Sequence, residues 1–285
     1  MATEPLDEAL IRAAVEGALA EDRAFEDVTT LATVPPTLRG TARFVAKEPG
    51  VMAGLPVALA AFRILDGSAV LQGGVPEGEE FEAGEVLAEV TSSVRAMLQA
   101  ERVALNYLQR LCATASLTRL FVRAVEGTGA IILDTRKTTP GMRDFEKYAV
   151  RCGGGTNHRR DLAAMAMIKD NHREALARAE LSLAEGVAAI RERTPGIAVE
   201  VEIDALEQLD EALAGRPEWI LLDNMSPADM AEAVRRTAGR AKLEASGGVN
   251  LATVRAIAET GVDAISVGAL THSQGSIDIS LELEF

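Results

Sequence analysis

The sequence predicts an α/β protein whose C-terminal half is a small, incomplete α/β barrel of the TIM-like kind. Three observations carry this. From residue 130 onward, short apolar runs alternate with amphipathic helical stretches, the pattern of βα units with right-handed crossovers. Each run ends in polar or glycine residues, and from Glu202 these ends recur every 21 to 23 residues (Asp223, Ser246, Gly268). Roughly six units fit into about 140 residues, whereas a full eight-unit barrel takes about 250.

The elements follow in order. Residues 6–20 read as an amphipathic helix, 39–47 as a strand closed by Glu48-Pro49-Gly50, and 55–65 as a helix. Residues 77–94, with two glycines and alternating apolar positions, suggest a hairpin. A long helix starts near Ser93 and runs toward Leu111, with Val94, Leu98, Leu105 and Cys112 on its apolar stripe. Arg102 stands at the edge of that stripe, where an arginine either snorkels to water or reaches a buried anion or partner. The later strands fall at 130–133, 164–168, 197–203, 219–222, 243–245 and 264–267. Helices are expected at 174–193, 206–214, 228–238 after Ser226-Pro227, and 251–260 with Asn250 as cap and Gly261 as stop. No glycine-rich dinucleotide fingerprint follows the first strand, which counts against a Rossmann domain.

Composition narrows the class. The chain has 285 residues, 48% hydrophobic and 25% charged, enough for a core without disulfides or structural metal. Cys112 and Cys152 lack zinc spacing and point to a reducing compartment. The acidic N-terminus lacks the basic start and apolar centre of a signal peptide, and no run of about 18 apolar residues occurs. A cytoplasmic protein without a membrane partner is expected. The net charge of −14 argues against nucleic-acid binding. The exception is Asp134–Arg173, where nine Lys/Arg face five Asp/Glu, an island able to focus positive potential on a small anion.

In a barrel the C-terminal strand ends meet at one mouth, so residues distant in sequence come together there. The ends are Asp134-Thr135-Arg136-Lys137, Lys169-Asp170-Asn171-His172, Asp223-Asn224, Glu244-Ala245-Ser246-Gly247-Gly248 and Ser266-Val267-Gly268, while Glu200 and Glu202 share one face of the third strand. The glycines of Ser246-Gly247-Gly248 and Val267-Gly268-Ala269 suit a phosphate held on backbone N–H groups. Glu202 and Asp223 could hold a divalent cation, Mg2+, directly or through water, or instead pair with Lys169 or Lys137. The stretch from Asp134 to Leu162 reads either as a flexible loop or as an arginine-rich carboxylate or phosphate binder. Arg143, Lys147, Arg151 and Arg160 within it carry no assigned role and are left as surface residues.

The ordered motifs DTRKTTPG, CGGGTNHR, MIKDNH, VEVE, LLDNM, EASGGV and SVGALTHS resemble the quinolinate phosphoribosyltransferases, from about Asp27 to the C-terminus. That resemblance implies a type II phosphoribosyltransferase-like fold: an N-terminal α/β sandwich (1–112 plus 274–285), a barrel (113–273), and a last strand near 276–283 returning to the first domain. It implies Mg2+-dependent phosphoribosyl transfer from phosphoribosyl pyrophosphate to quinolinate. The products are nicotinate mononucleotide, pyrophosphate and carbon dioxide, in NAD biosynthesis, with no organic cofactor. Carried over by motif, Arg102, Arg136, His158, Arg159 and Lys169 bind quinolinate. Lys137, Thr138, Glu202, Asp223, Ser246, Gly247, Gly248, Val267, Gly268 and Ala269 bind phosphoribosyl pyrophosphate. Lys137, Lys169, Glu202 and Asp223 act in catalysis, and Glu202 and Asp223 hold the metal. A homodimer, in some members built into a hexamer, is implied, with Arg102 donated by the partner subunit. The rival readings are a same-scaffold nicotinate phosphoribosyltransferase, a relative associated with molybdate transport, or an idle phosphate-binding barrel.

Overall fold

All six apolar runs expected beyond residue 130 are strands in the computed structural model, which describes residues 4–285. In chain order the first elements are α1 (Glu8–Glu21), α2 (Val28–Thr33), β1 (Arg39–Ala46), β2 (Gly50–Val51), α3 (Leu55–Leu65), β3 (Val70–Gln72), β4 (Glu80–Phe81), β5 (Val86–Ser93) and α4 (Val94–Ala124). Then come β6 (Ile131–Leu133), α5 (Arg143–Cys152), β7 (Ala166–Ile168), α6 (Asp170–Arg178), α7 (Leu183–Arg193), β8 (Val199–Ile203) and α8 (Leu209–Ala214). The last are β9 (Trp219–Asp223), α9 (Pro227–Thr237), β10 (Lys242–Ser246), α10 (Val254–Ala258), β11 (Ala264–Ser266), α11 (Ala269–His272) and β12 (Ile279–Glu284). The chain divides into two compact units: residues up to Arg119 with Thr139–Gly154 and Ser273–Phe285, and Leu120–Thr138 with Gly155–His272.

The first unit is built on an antiparallel sheet in the order β12-β1-β5-β3. Its core gathers Phe44, Phe62, Leu87, Val90, Leu108 and Leu111, with Phe44 and Phe62 edge to face at 5.9 Å between ring centres. The N-terminus of α3 is closed by a distant acid: Glu77 accepts the N–H groups of Gly54 and Leu55 at 2.8 and 2.9 Å. Asp66, just past α3, accepts from Ser68, Ser92 and Ser93, which ties the helix end to β5.

The second unit is the incomplete barrel. Its six parallel strands run β7-β8-β9-β10-β11-β6, so the first and second strands in sequence stand at opposite edges. Val199, Val201, Ile203, Ile220, Leu222, Leu243, Ala245 and Ile265 are buried, as strands covered on both faces require. The free edge of β6 is taken by Thr156, which accepts from Asp134 N–H at 3.2 Å and donates to Ile132 C=O at 2.8 Å.

Several sequence expectations need correction. Residues 77–94 form no hairpin: β4 pairs with β2, and β5 pairs with β1 and β3. The helix expected over 174–193 is two helices. Glu180 takes a left-handed φ of 58°, and Ser182 restarts the chain through a capping box with Glu185. On α4 the helix runs on to Ala124, and Leu98 is exposed while Met97, Ala104 and Leu108 are buried. The helix expected from 251 begins at Val254, because Asn250 spends its side chain on a turn at Ala252 N–H. The stretch after Thr138 is no flexible loop of the barrel. It carries α5, whose Phe145, Tyr148, Ala149 and Cys152 lie in the core of the first unit, so 139–154 belongs there rather than with 113–273. By packing, the second compact unit begins at Leu120, within α4. Lys147 is buried and Arg143 and Arg151 are half-buried; of the four residues left as surface, Arg160 alone is exposed.

Burial raises the pKa of Asp66, but donors from Ser68, Ser93 and Ser92 outweigh it and hold the carboxyl well below its usual 3.8. Its contribution to stability is therefore complete above 3.8 and is lost as pH falls toward the depressed folded value. Asp66→Ala is expected to destabilise the first unit by about 2 kcal/mol at neutral pH, because it strands several donors. Urea unfolding at pH 7 and pH 3 checks this, with the gap between variant and wild type narrowing at the lower pH.

Candidate active site

Side chains alternate along a strand, and the register of the barrel strands puts one set of them together. Met167 pairs with Glu200, Glu202 with Leu221, Leu221 with Glu244, and Asp223 with Ser246. These residues, with Ser266 and Lys169, share the face that lines a cavity of about 620 Å3 (Glu200 lies behind its wall). The loop after β6 contributes Thr135, Arg136 and Lys137, and the chain beside β6 contributes His158 and Arg159. A larger groove of about 990 Å3 lies in the first unit, lined by Ile11, Leu55, Leu59, Ile64 and Val75. Of its charged lining residues, Arg12 pairs with Glu16 and Glu77 closes the N-terminus of α3, so chemistry and not size selects the barrel cavity.

Among the described residues, three cations face the cavity without a carboxylate partner. Arg136 has a buried Nε with no acceptor. Lys137 makes no ion pair and lies against Gly268, where an added Cβ would come within 3.2 Å of its Cδ. Arg159 is fastened at its tip to Met165 C=O at 2.9 Å and to Met167 Sδ at 3.4 Å. Burial, and then the like charge of Arg136, lowers the Arg159 pKa from its ordinary value. Two guanidiniums that repel each other at a polar cavity are poised for an anion with two acceptor groups. Lys169 differs, because its ammonium already pairs with Glu202.

Beneath them lies a buried ionic cluster. His158 Nε2 stands 3.2 Å from Glu200 Oε2 and 3.1 Å from Glu244 Oε2, and both glutamates are almost fully buried. Burial raises the Glu200 carboxyl to about 7 against the pull of His158. Burial would lower His158, yet hydrogen bonds and charges from Glu200 and Glu244 outweigh it and raise the imidazole to about 9. Its Nδ1, however, accepts the Arg159 N–H at 2.7 Å, which opposes a second ring proton. Under either influence the proton on Nε2 is retained. The three ligand atoms lie within 4.8 Å of one another, but a metal would need Nε2 bare and a hydrogen on Nδ1. The cluster is therefore a proton-bridged one. Asp134, also fully buried, accepts from Asn157 Nδ2 at 2.7 Å and His158 N–H at 2.8 Å.

The turn after β10 is shaped by glycine. Gly247 has φ of 91°, and a Cβ there would run into the Asn224 side chain. Asn224, itself left-handed at 53°, donates from Nδ2 to Asp223 Oδ2 at 2.9 Å. Glu202 and Asp223 thus present oxygen donors to the cavity, one of them shared with Lys169.

The structure brings Arg136, Lys137, His158, Arg159, Lys169, Glu202, Asp223, Ser246, Gly247 and Gly248 to one cavity. Thr138 turns back on Arg136 C=O, and Val267 is buried, with its N–H on Leu133 C=O. Gly268 and Ala269 follow at the start of α11. Arg102 lies in the first unit, exposed on α4 near Glu21, Asp22 and Tyr107. Sequence reasoning assigned no role to Asp134, Glu200 or Glu244. The signal for Glu200 was its sharing a strand face with Glu202.

The quinolinate phosphoribosyl transferase N-terminal domain matches residues 27–112, and the C-terminal domain of the same family matches residues 114–282. The nicotinate-nucleotide pyrophosphorylase [carboxylating] of Mycobacterium leprae is 44% identical over 95% of this chain and 96% of its own. The probable enzyme of that name from Bacillus subtilis is 42% identical over 85% of this chain and 83% of its own. The solved structure of NadC from Streptococcus pyogenes superposes with a TM-score of 0.94 at 38% identity, covering 99% of both chains.

Replacing Gly247 strains the turn whatever room is made. Gly247→Ala is expected to destabilise the protein by about 1–3 kcal/mol, the range of local backbone strain. Urea unfolding of both proteins measures it.

Proposed function

The chain belongs to the quinolinate phosphoribosyl transferase family, and we propose that the barrel cavity is where the family's reaction takes place. The reaction moves phosphoribosyl from phosphoribosyl pyrophosphate to quinolinate, with decarboxylation to nicotinate mononucleotide, pyrophosphate and carbon dioxide, a step of NAD biosynthesis. One observation carries the placement: Arg136, Lys137 and Arg159 face the cavity with no carboxylate of their own among the described residues. A dianionic pyridine and a polyphosphate supply what these cations lack.

In this reading Arg136 and Arg159 grip the two carboxylates of quinolinate, with His158 and Lys169 completing the wall. Lys137, Thr138 and the backbone of Ser246–Gly248 and Val267–Ala269 hold the phosphates. Glu202 and Asp223 face the ribose. Two cavity-facing carboxylates together with substrate phosphate oxygens form the hard donor set Mg2+ takes, and Asp223 is the freer of the pair because Lys169 occupies Glu202. When bound, Mg2+ would neutralise the leaving pyrophosphate.

The chemistry then follows from charge. The C1′–O bond breaks and its electron pair leaves with pyrophosphate, toward Lys137 and Lys169. Positive charge grows on the ribose, where Glu202 and Asp223 offset it. The pyridine nitrogen bonds to C1′ and becomes cationic. The ring accepts the electron pair released when the adjacent carboxylate departs as carbon dioxide, and a proton replaces it. No nucleophilic side chain takes part, so positioning and preorganised charge supply the rate.

Arg102 has no acceptor in its own subunit among the described residues, and its neighbours favour a second copy. Arg95 and Gln99 tie the segment around α2 to α4, and Phe25, Val28, Leu31 and Leu98 are exposed beside that seam. A homodimer that buries this patch would deliver Arg102 to the partner's quinolinate.

Carbon dioxide release from carboxyl-labelled quinolinate tests the function. It should require phosphoribosyl pyrophosphate, stop on chelation of Mg2+, and return when Mg2+ is added back. Arg136→Ala should abolish quinolinate binding and Lys137→Ala should cut turnover about a hundredfold, from one lost charge stabiliser. Near-wild-type constants in both would sink the placement. Mixing inactive Arg102→Ala and Lys137→Ala subunits should restore about one quarter of wild-type activity, since half the dimers are hybrids with one intact site each.

A further inference from the structure

Arg159 sits on chain that has no regular structure of its own. Between α5 and β7 the backbone is neither helix nor strand beyond the bridge at Thr156. Something must therefore fix the arginine that meets the substrate. Its tip is held by Met165 and Met167, but its backbone N–H is held by His158 Nδ1 at 2.7 Å. His158 is in turn fixed at its backbone by Asp134 and at Nε2 by Glu200 and Glu244. Both ring nitrogens of His158 are thus engaged inside the protein.

The two glutamates are costly residents. They are 0% and 2% exposed, and Glu200 Oε1 has no partner. Burying carboxylates disfavours folding unless they are paired, and apolar replacements of similar size are often more stable. They also place negative charge under a cavity whose free cations call for an anion. Their contacts on His158 are the local effect that offsets these costs.

We infer that Glu200 and Glu244 are positioning residues for quinolinate capture, acting through the His158 ring on the backbone of Arg159. They fix the imidazole from below, the imidazole fixes the Arg159 N–H, and the guanidinium keeps its distance from Arg136. The glycine turns that face the phosphates are built on other strands and do not depend on this chain of contacts.

Steady-state kinetics with both substrates, combined with a double-mutant cycle, tests this. Glu200→Gln and Glu244→Gln keep the volume and remove the charge. Each is expected to raise the KM for quinolinate about tenfold, the size of one hydrogen bond to a charged group, with kcat and the KM for phosphoribosyl pyrophosphate within about twofold of wild type. His158→Ala should raise the quinolinate KM as well, and Glu200→Gln added to it should change that KM by less than about twofold, because the route is already cut. Glu244→Gln runs the same cycle if Glu200→Gln does not fold. The inference is overturned if the quinolinate KM stays within twofold of wild type in both glutamine variants. It is also overturned if kcat and both KM values worsen together, or if the glutamine change acts in full on top of His158→Ala. The inference rests on the assignment of this cavity to quinolinate. Wild-type protein that releases no carbon dioxide from quinolinate would sink that assignment, whereas active wild type with unaltered variants sinks only this inference.

Discussion

A parallel sheet of six strands leaves two edges, and here the edge of β6 is occupied by chain that comes back to it 23 residues later. Thr156 pairs with the β6 backbone, and buried Asp134 takes the Asn157 amide and the His158 N–H. The placement of His158, and of Arg159 after it, depends on this closure, because both follow directly on the paired Thr156. Two N–H donors converge on that carboxylate where water is excluded, which strengthens both hydrogen bonds.

In the proposed reading the cavity takes an anion while holding nearly as many acids as bases. Pairing explains how this works. Lys169 is matched by Glu202, and His158 bridges Glu200 and Glu244, so most of the negative charge is spent within the protein. What remains toward the cavity is Arg136, Lys137, Arg159 and Asp223. The proposed reaction uses both signs, since its substrates are anionic while its transition state grows cationic at the ribose. A uniformly basic cavity would hold the substrates well and oppose the charge that develops between them.

Much of this was legible in the sequence, for identifiable reasons. Strands covered on both faces must be apolar, and their ends must be polar, so the barrel and the mouth residues could be read from spacing alone. The break between α6 and α7 was written as Ser182 with Glu185, a capping box inside an apparently continuous helix. α5 was hidden by its arginines, although Phe145, Tyr148, Ala149 and Cys152 mark one helical face. The pairing of β4 with β2 was not legible, because a two-residue ladder leaves too little pattern to read. Nor was the His158 cluster, whose nearer glutamate is 42 residues away and lies on a strand that local rules place but do not partner.

The stretch from Thr139 to Gly154 has a bearing on ancestry. The chain leaves the barrel after Thr138, builds a helix in the core of the other unit, and re-enters at Gly155 next to His158. With the passages at Arg119 and His272, the polypeptide crosses between its two units four times. Neither unit is a contiguous cassette that recombination could lift out and graft elsewhere. The two have to be inherited together, with the chain passing between them at Thr138 and again at Gly155.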